Sequence, residues 1–129
     1  MPGRVLLDTN IVIALFAGEE RVRDRVAQAQ EVFLPSTVLG ELYYGARKSS
    51  HAAANLARID EFATAAAVLA CDATTAQYYG QTKDGLRSKG SPIPENDVWI
   101  AAVARQYGLP LATRDEHFKA VDGLVVENW

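Results

Sequence analysis

Short apolar runs that stop at a polar residue or a proline most restrict how this chain can fold. The run at residues 5–7 ends at Asp8, and the run at residues 32–34 ends at Pro35. Neither run alternates apolar with polar residues, which is typical of strands buried on both faces of a parallel sheet. Stretches with helical spacing separate the runs. The pattern predicts an α/β fold, with a mostly parallel central sheet flanked by helices on both faces.

The same pattern predicts where each element begins and ends. Strands are predicted at residues 4–7, 31–34, 68–71, 109–113 and 123–127. Helices are predicted at residues 11–17, 19–30, 36–48, 51–69, 73–87 and 95–107. Asp72 is the expected N-cap of the fifth helix, and Gly108 is expected to end the sixth. The chain has 129 residues and no repeat or linker, so one domain over residues 1–129 is predicted.

Composition excludes several classes of function. A single cysteine, Cys71, leaves no internal disulfide and no cysteine-rich zinc site; in its apolar stretch we expect it to be buried. The net charge of −3 argues against a protein that coats nucleic acid by bulk charge. Polar residues 8–10 interrupt the N-terminal apolar stretch, which argues against a signal peptide, and no run approaches the ~20 residues of a membrane span. We expect a cytoplasmic protein.

Four carboxylates occupy positions where an α/β fold places functional side chains. Asp8 ends the first strand and Asp115 follows the fourth, and ligand sites of such folds lie beyond the carboxyl ends of the strands. Glu41 shares a helix face with apolar or small residues. Asp97 lies in the first turn of its helix, on a face of isoleucine and alanine. An acid on the apolar face of two separate helices is unusual and indicates a function.

Carboxylates that converge need a positive partner. At ~4 Å and an effective dielectric of about 20, one like-charge pair costs on the order of 4 kcal/mol. Such a cluster persists when it is protonated or holds a hard cation, and ligands that are all oxygen favour Mg²⁺ or Mn²⁺. An ion of this kind positions and polarises a phosphate and activates water, which is the chemistry of phosphodiester hydrolysis.

Each acid also has a purely structural interpretation. Asp8 suits a helix N-cap, and Asp115 suits a turn. Glu41 could reach solvent from its helix, and Asp97 could simply complement the helix dipole. Spacing alone leaves open whether the four side chains meet in space.

Four sequence blocks around these acids resemble the signature of the PIN domain, in its order and near its usual spacing. The blocks are residues 7–10, 36–42, 96–102 and 113–118. More narrowly, the chain resembles, over essentially its whole length, the VapC toxins of type II toxin–antitoxin pairs. The resemblance implies a Mg²⁺- or Mn²⁺-dependent endoribonuclease, a cognate antitoxin that occupies the groove beside the acids, and a homodimer. It places the antitoxin on the first two helices and the helix of Glu41.

The resemblance also implies roles for individual residues. The acids that it assigns to metal binding and catalysis are Asp8, Glu41, Asp97 and Asp115. The neighbours expected to orient these carboxylates by hydrogen bonds are Thr9, Asn10 and Thr113. The expected step is in-line attack of water on the phosphate. A metal-free route through the ribose 2′-OH would need paired acid–base groups, and the positions of His51 and His117 do not favour it.

Basic and aromatic side chains are weaker candidates for RNA binding. Arg114 adjoins Asp115, while Lys83 and Arg87 lie at helical spacing before the loop at residues 88–94. Solvated helix charges explain these residues equally well. The tyrosine pairs at 43–44 and 78–79 suit base stacking, but we expect them to pack in the core or at an interface, as we do for Trp99.

Rival activities share parts of this pattern. A metal-dependent nuclease acting on DNA would use the same acids. A PIN-like RNA-binding module without catalysis is a second alternative. A phosphatase of the haloacid dehalogenase type would need a second aspartate where the chain has Asn10. A receiver-like signalling domain would need an acid pair after the first strand and a lysine after a late one, and neither is present at the required place.

Overall fold

The computed structural model describes residues 3–129, so Met1 and Pro2, where the predicted 1–129 domain begins, lie outside the described residues. The strands are β1 (Arg4–Leu7), β2 (Glu31–Pro35), β3 (Ala67–Leu69), β4 (Leu111–Ala112) and β5 (Val126–Glu127). The helices are α1 (Thr9–Phe16), α2 (Glu20–Gln28), α3 (Ser36–Lys48), α4 (Ala52–Ala65), α5 (Ala73–Lys89) and α6 (Glu95–Tyr107). A 3₁₀ helix, which the sequence did not predict, spans Glu116–Ala120.

All five strands pair in parallel in one sheet, in the order β3-β2-β1-β4-β5. The predicted α/β class with a parallel sheet is therefore confirmed. From β1 the chain moves outward to β2 and β3, then returns to the other side of β1 for β4 and β5. The strand order thus reverses between β1 and β4, and parallel sheets form ligand crevices at such switch points.

The core centres on β1 and α6. Leu6 and Leu7 of β1 are fully buried, with β2 and β4 paired on either side. In α6, Val98 and residues 100–104 are all buried, which is typical of a helix surrounded by other elements. Because α6 is held on several sides, the residues of its first turn have fixed positions relative to the sheet. None of the helices in the described part of the chain is long and apolar enough to cross a membrane.

The third strand and the helix before it differ from the prediction, as do β4 and β5, which are shorter than the predicted 109–113 and 123–127. The helix predicted over residues 51–69 ends at Ala65, and β3 starts at Ala67 instead of residue 68. β3 is an edge strand that pairs only with β2, whose last residue, Pro35, lies opposite Leu69. The strand therefore stops where its partner stops. Cys71 lies beyond this point and is exposed, so the expectation of a buried cysteine was wrong.

Candidate functional site

Asp8 caps α1 at the carboxyl end of β1. Its Oδ1 accepts a hydrogen bond from the Thr9 backbone N–H at 2.8 Å, and its Oδ2 accepts one from Thr113 Oγ1 at 2.7 Å. The residue is only 3% exposed. The pKa of Asp8 is raised to about 6, mainly by burial; the nearby carboxylates of Asp97 and Asp115 act in the same direction, and the two hydrogen bonds oppose them. Asp8 is thus both a helix cap and a member of an acidic group.

Thr9 connects α1 to the acid of α3. Its hydroxyl donates to Glu41 Oε1 at 2.7 Å, across 32 positions of sequence. The backbone N–H of the same residue holds Asp8. Thr9 therefore fixes the carboxylates of Asp8 and Glu41 at once. Thr113 connects Asp8 to Asp115, because its Oγ1 also accepts a hydrogen bond from the backbone N–H of Asp115 at 3.0 Å.

Asp97 enters the same group from the first turn of α6. His117 Nε2 lies 2.7 Å from Asp97 Oδ2. Burial raises the pKa of Asp97, and the carboxylates of Glu41 and Asp115 act in the same direction, while the contact with His117 opposes them. The sequence pointed to His117 only for a metal-free route, so this contact with Asp97 was not predicted. Its position two residues after Asp115 was the only available signal.

The four acids line one open cleft of about 620 Å³ at the switch point. The full lining is Asp8, Thr9, Asn10, Ile13, Glu41, Pro94, Glu95, Asn96, Asp97, Asp115 and His117. Ligand atoms of Asp97, Asp115 and His117 lie within 4.8 Å of one another. The structure therefore brings together all four residues that the sequence singled out, along with Thr9 and Asn10. Thr113 lies behind the cleft, against Asp8.

These residues fit a divalent cation. Within residues 3–129, none of the four carboxylates forms an ion pair with lysine or arginine. The pKa values of Asp8 and Asp97 are raised by the same two causes, burial first and the negative charge of neighbouring carboxylates second. Asn10 Oδ1 is buried without a hydrogen-bond partner in this described region. Oxygen donors in this number suit Mg²⁺ or Mn²⁺, and one imidazole nitrogen is compatible with Mn²⁺.

The three basic candidates have different surroundings. The Arg114 guanidinium binds Glu19 Oε1 at 2.7 Å and the Trp129 carbonyl at 3.4 Å, and Arg114 does not line the cleft. Arg87 pairs with Asp84 on its own helix. Lys83 Nζ binds Glu95, which does line the cleft. Lys83 is therefore the one of the three that contacts a cleft residue.

An apolar groove of about 330 Å³ adjoins the cleft. Its lining, from α1, α3 and α4, is Thr9, Ile13, Phe16, Glu41, Leu42, Gly45, Ala46, Asn55, Arg58 and Ile59. Thr9, Ile13 and Glu41 line both depressions, and Ile13 is 56% exposed between them. Helix α4 forms the outer side of this groove.

Comparison with known proteins agrees with this fold and identifies the family. The model of the PIN domain family matches residues 5–124. Ribonuclease VapC2 of Haemophilus influenzae is 36% identical to this chain, with 98% of each chain covered. The tRNA(fMet)-specific endonuclease VapC of Shigella flexneri is 37% identical at the same coverage. The crystal structure of DNA-bound VapBC from Salmonella typhimurium matches with a TM-score of 0.90 and 32% identity, covering 100% of this chain and 99% of that one. The chain therefore belongs to the PIN domain family and, within it, to the VapC ribonucleases.

Proposed function

We propose that this protein is a Mg²⁺- or Mn²⁺-dependent endoribonuclease and the toxin of a type II toxin–antitoxin pair. The observation that carries the proposal is the convergence of Asp8, Glu41, Asp97 and Asp115 on one cleft, without a lysine or arginine partner among residues 3–129. Relatives that are named ribonuclease or tRNA-specific endonuclease, and that match over nearly the whole chain, support RNA as the substrate class.

The residues of the cleft have distinct tasks in this proposal. Asp8 and Asp97 hold the metal directly, and Glu41 and Asp115 complete its surroundings or orient the attacking water. A bound divalent ion would polarise the phosphate and activate water for in-line attack. Thr9 and Thr113 keep both oxygens of Asp8 in place, and Thr9 does the same for Glu41.

Two further residues of the cleft have tasks in this proposal. His117 holds Asp97 through its Nε2. Asn10 Oδ1, buried at the cleft and without a partner within the described residues, offers one more acceptor for a group that enters. Because the carboxylates of Asp8, Glu41 and Asp97 are already held by hydrogen bonds, they need little rearrangement when the ion binds.

Structured RNA is the substrate class that we propose, and initiator tRNA is the first molecule to test. The name of the Shigella flexneri relative specifies tRNA(fMet). Lys83 is the basic residue best placed to meet the RNA, since it contacts the cleft residue Glu95. Arg114 and Arg87 remain candidates of lower rank, because Glu19 and Asp84 already bind their guanidinium groups.

The proposed antitoxin lies in the apolar groove and blocks the cleft. The groove and the cleft are continuous through Ile13, Thr9 and Glu41, so one extended segment can cover both. Apolar side chains suit the groove, and a basic side chain suits the carboxylates at its open end. Solved relatives in complex with VapB support a partner of this kind. We also propose a homodimer, which light scattering on the purified chain tests.

Cleavage of a tRNA pool by purified chain, free of antitoxin, tests the proposed function. Reactions contain Mg²⁺, Mn²⁺ or EDTA, with Asp8→Asn and the exposed-acid control Asp84→Asn run beside the wild type. We expect cuts that need metal, that Asp8→Asn abolishes and that Asp84→Asn leaves unchanged. Cuts that survive EDTA would overturn the site assignment. Cleavage of DNA alone indicates the DNA nuclease, and RNA binding without cuts indicates a binding module.

A further inference from the structure

One basic side chain at the rim of the cleft is held by a carboxylate from the next helix. Lys83 Nζ, on α5, donates to Glu95 Oε1 at 2.8 Å. The hydroxyl of Tyr79, one turn before Lys83, donates to the other carboxylate oxygen of Glu95. Lys83 Nζ also lies 3.2 Å from that hydroxyl. Two donors on α5 therefore bind the two oxygens of one anionic group, and that group lines the cleft.

Aromatic packing fixes this arrangement. The ring of Tyr79 stacks on Trp99, with centroids 4.1 Å apart and planes 19° from parallel. The ammonium of Lys83 lies 5.6 Å from the Tyr79 centroid. The ring is thus engaged by protein groups rather than open to a base, which supports the expectation of packing over stacking for this tyrosine. The stacking fixes the Tyr79 ring, and both donors are directed at one place on the rim.

The carboxylate at that place can be displaced. The side chains of Lys83 and Glu95 are 55% and 54% exposed, and ion pairs this exposed contribute little to stability. A phosphodiester offers the same two features as Glu95, a negative charge and two oxygen acceptors. Glu95 lies two residues before Asp97 in the first turn of α6, so a phosphate bound in its place would be next to the reacting centre.

We propose that Lys83 and Tyr79 form a phosphate-binding subsite for RNA at the rim of the cleft, which Glu95 occupies until RNA displaces it. The inference rests on the proposed function, because it takes RNA as the ligand. It goes beyond that function because it makes Glu95 a competitor of the RNA phosphate for Lys83 and Tyr79. Glu95 lowers the affinity for any RNA, so only an RNA that makes further contacts elsewhere binds well.

A double-mutant cycle on RNA affinity tests the proposal. The probe is fluorescein-labelled tRNA, titrated in Ca²⁺ and followed by anisotropy at several salt concentrations, with gels to check that the RNA stays intact. Lys83→Gln should weaken binding about fivefold near 0.1 M salt and reduce the salt slope by about 0.7 to 0.9, the loss of one phosphate contact. Glu95→Gln should tighten binding about threefold. In the double variant this gain should disappear.

A distant ion pair supplies matched controls. Arg4 of β1 and Glu31 of β2 form a pair with a distance of 3.6 Å, and their side chains are 59% and 50% exposed. Arg4→Gln and Glu31→Gln make the same charge changes at the opposite end of the strands, outside the cleft, and should leave tRNA affinity within twofold. Thermal unfolding of every variant verifies that each one is folded, and exposed substitutions of this type rarely change stability.

Several outcomes would overturn the subsite. One is a gain from Glu95→Gln that persists in the Lys83→Gln background, because Glu95 would then act by simple repulsion. Equal losses of affinity from Lys83→Gln and Arg4→Gln would mean that only the overall charge of the protein matters. A wild type that binds no tRNA would also overturn the subsite. Cleavage in Mg²⁺ is measured separately. If the effects of Lys83→Gln and Glu95→Gln depend on each other but no RNA is cleaved, the subsite is retained and the nuclease is rejected. If RNA is cleaved but the two effects are independent, the nuclease is retained and the subsite is rejected.

Discussion

His117 Nε2 lies 2.7 Å from Asp97 Oδ2, so the 3₁₀ helix that follows β4 holds a carboxylate that belongs to α6. The two residues are 20 positions apart in sequence. Asp97 is thereby held from two directions, by the buried body of its own helix and by an imidazole on the other side of the cleft. A carboxylate fixed in this way loses little further conformational entropy when it binds a metal.

We predict that His117→Gln weakens Mn²⁺ binding about tenfold or more, the usual effect of removing a group that orients a ligand. Calorimetric titration of the metal-free protein measures it directly. His51→Gln changes an exposed histidine away from the cleft and should bind Mn²⁺ like the wild type. Equal affinity in both variants would mean that the contact with Asp97 has no part in metal binding.

The buried carboxyl of Asp8 should make the metal-free protein more stable in mild acid than at neutral pH. Its pKa is raised from 3.8 to about 6, so the folded state binds this proton more tightly than the unfolded state. The free energy of unfolding should therefore fall as pH rises between about 4 and 6, by up to roughly 3 kcal/mol from this group. Asp97 acts in the same direction.

Urea unfolding in EDTA at pH 5 and pH 7.5, on the wild type and on Asp8→Asn, checks this prediction. The variant lacks the titrating group, so the difference in stability between the two proteins should change with pH. We expect Asp8→Asn to be the more stable protein at pH 7.5, with a smaller advantage at pH 5. A constant difference would contradict the raised pKa of Asp8.

Thr113→Val should affect both stability and metal binding. The change removes the hydroxyl that donates to Asp8 Oδ2 and leaves a buried carboxylate with one partner fewer, at a cost of about 1–3 kcal/mol at neutral pH. Mn²⁺ affinity should fall as well. Thr82→Val is the matched control, since Thr82 is also buried and bonded to a charged group, Arg105, at 2.9 Å. Thr82→Val should lower stability and leave Mn²⁺ affinity unchanged. If both variants lose Mn²⁺ affinity, the loss comes from destabilisation of the fold and not from the bond to Asp8.

Ile13→Ser should weaken binding of the antitoxin while RNA cleavage continues. Ile13 is 56% exposed where the apolar groove meets the cleft, and it holds no carboxylate in place. Val125→Ser removes a comparable side chain, 63% exposed, outside both depressions. Co-purification with the co-expressed antitoxin, at rising salt, compares the two. Retention of the antitoxin by Ile13→Ser to the same extent as by Val125→Ser would place its binding surface elsewhere.

Much of the fold follows from local chemistry. The run that ends at Asp8 predicted β1 correctly, because a buried strand must be apolar throughout and a charge at its end must leave the core. The sixth helix was predicted with the right bounds, since Pro94 starts it and Gly108, at φ 63°, ends it. The acids that follow β1 and β4 were predicted to lie near each other because parallel strands end at one edge of the sheet.

Contacts between distant segments depended on the tertiary structure. Periodicity tells which face of a helix is buried, but it does not tell which side chain of another element lies opposite. The bonds from His117 to Asp97 and from Lys83 to Glu95 are of this kind. The position of Cys71 is another case, because the end of edge strand β3 is set by where β2 ends. The sequence by itself determined the α-helices, the approximate positions of the strands and the acids that these elements carry. Packing of α5, α6 and the 3₁₀ helix around the sheet decided which partners those acids have, because a side chain's partners depend on distances between elements that no local pattern records.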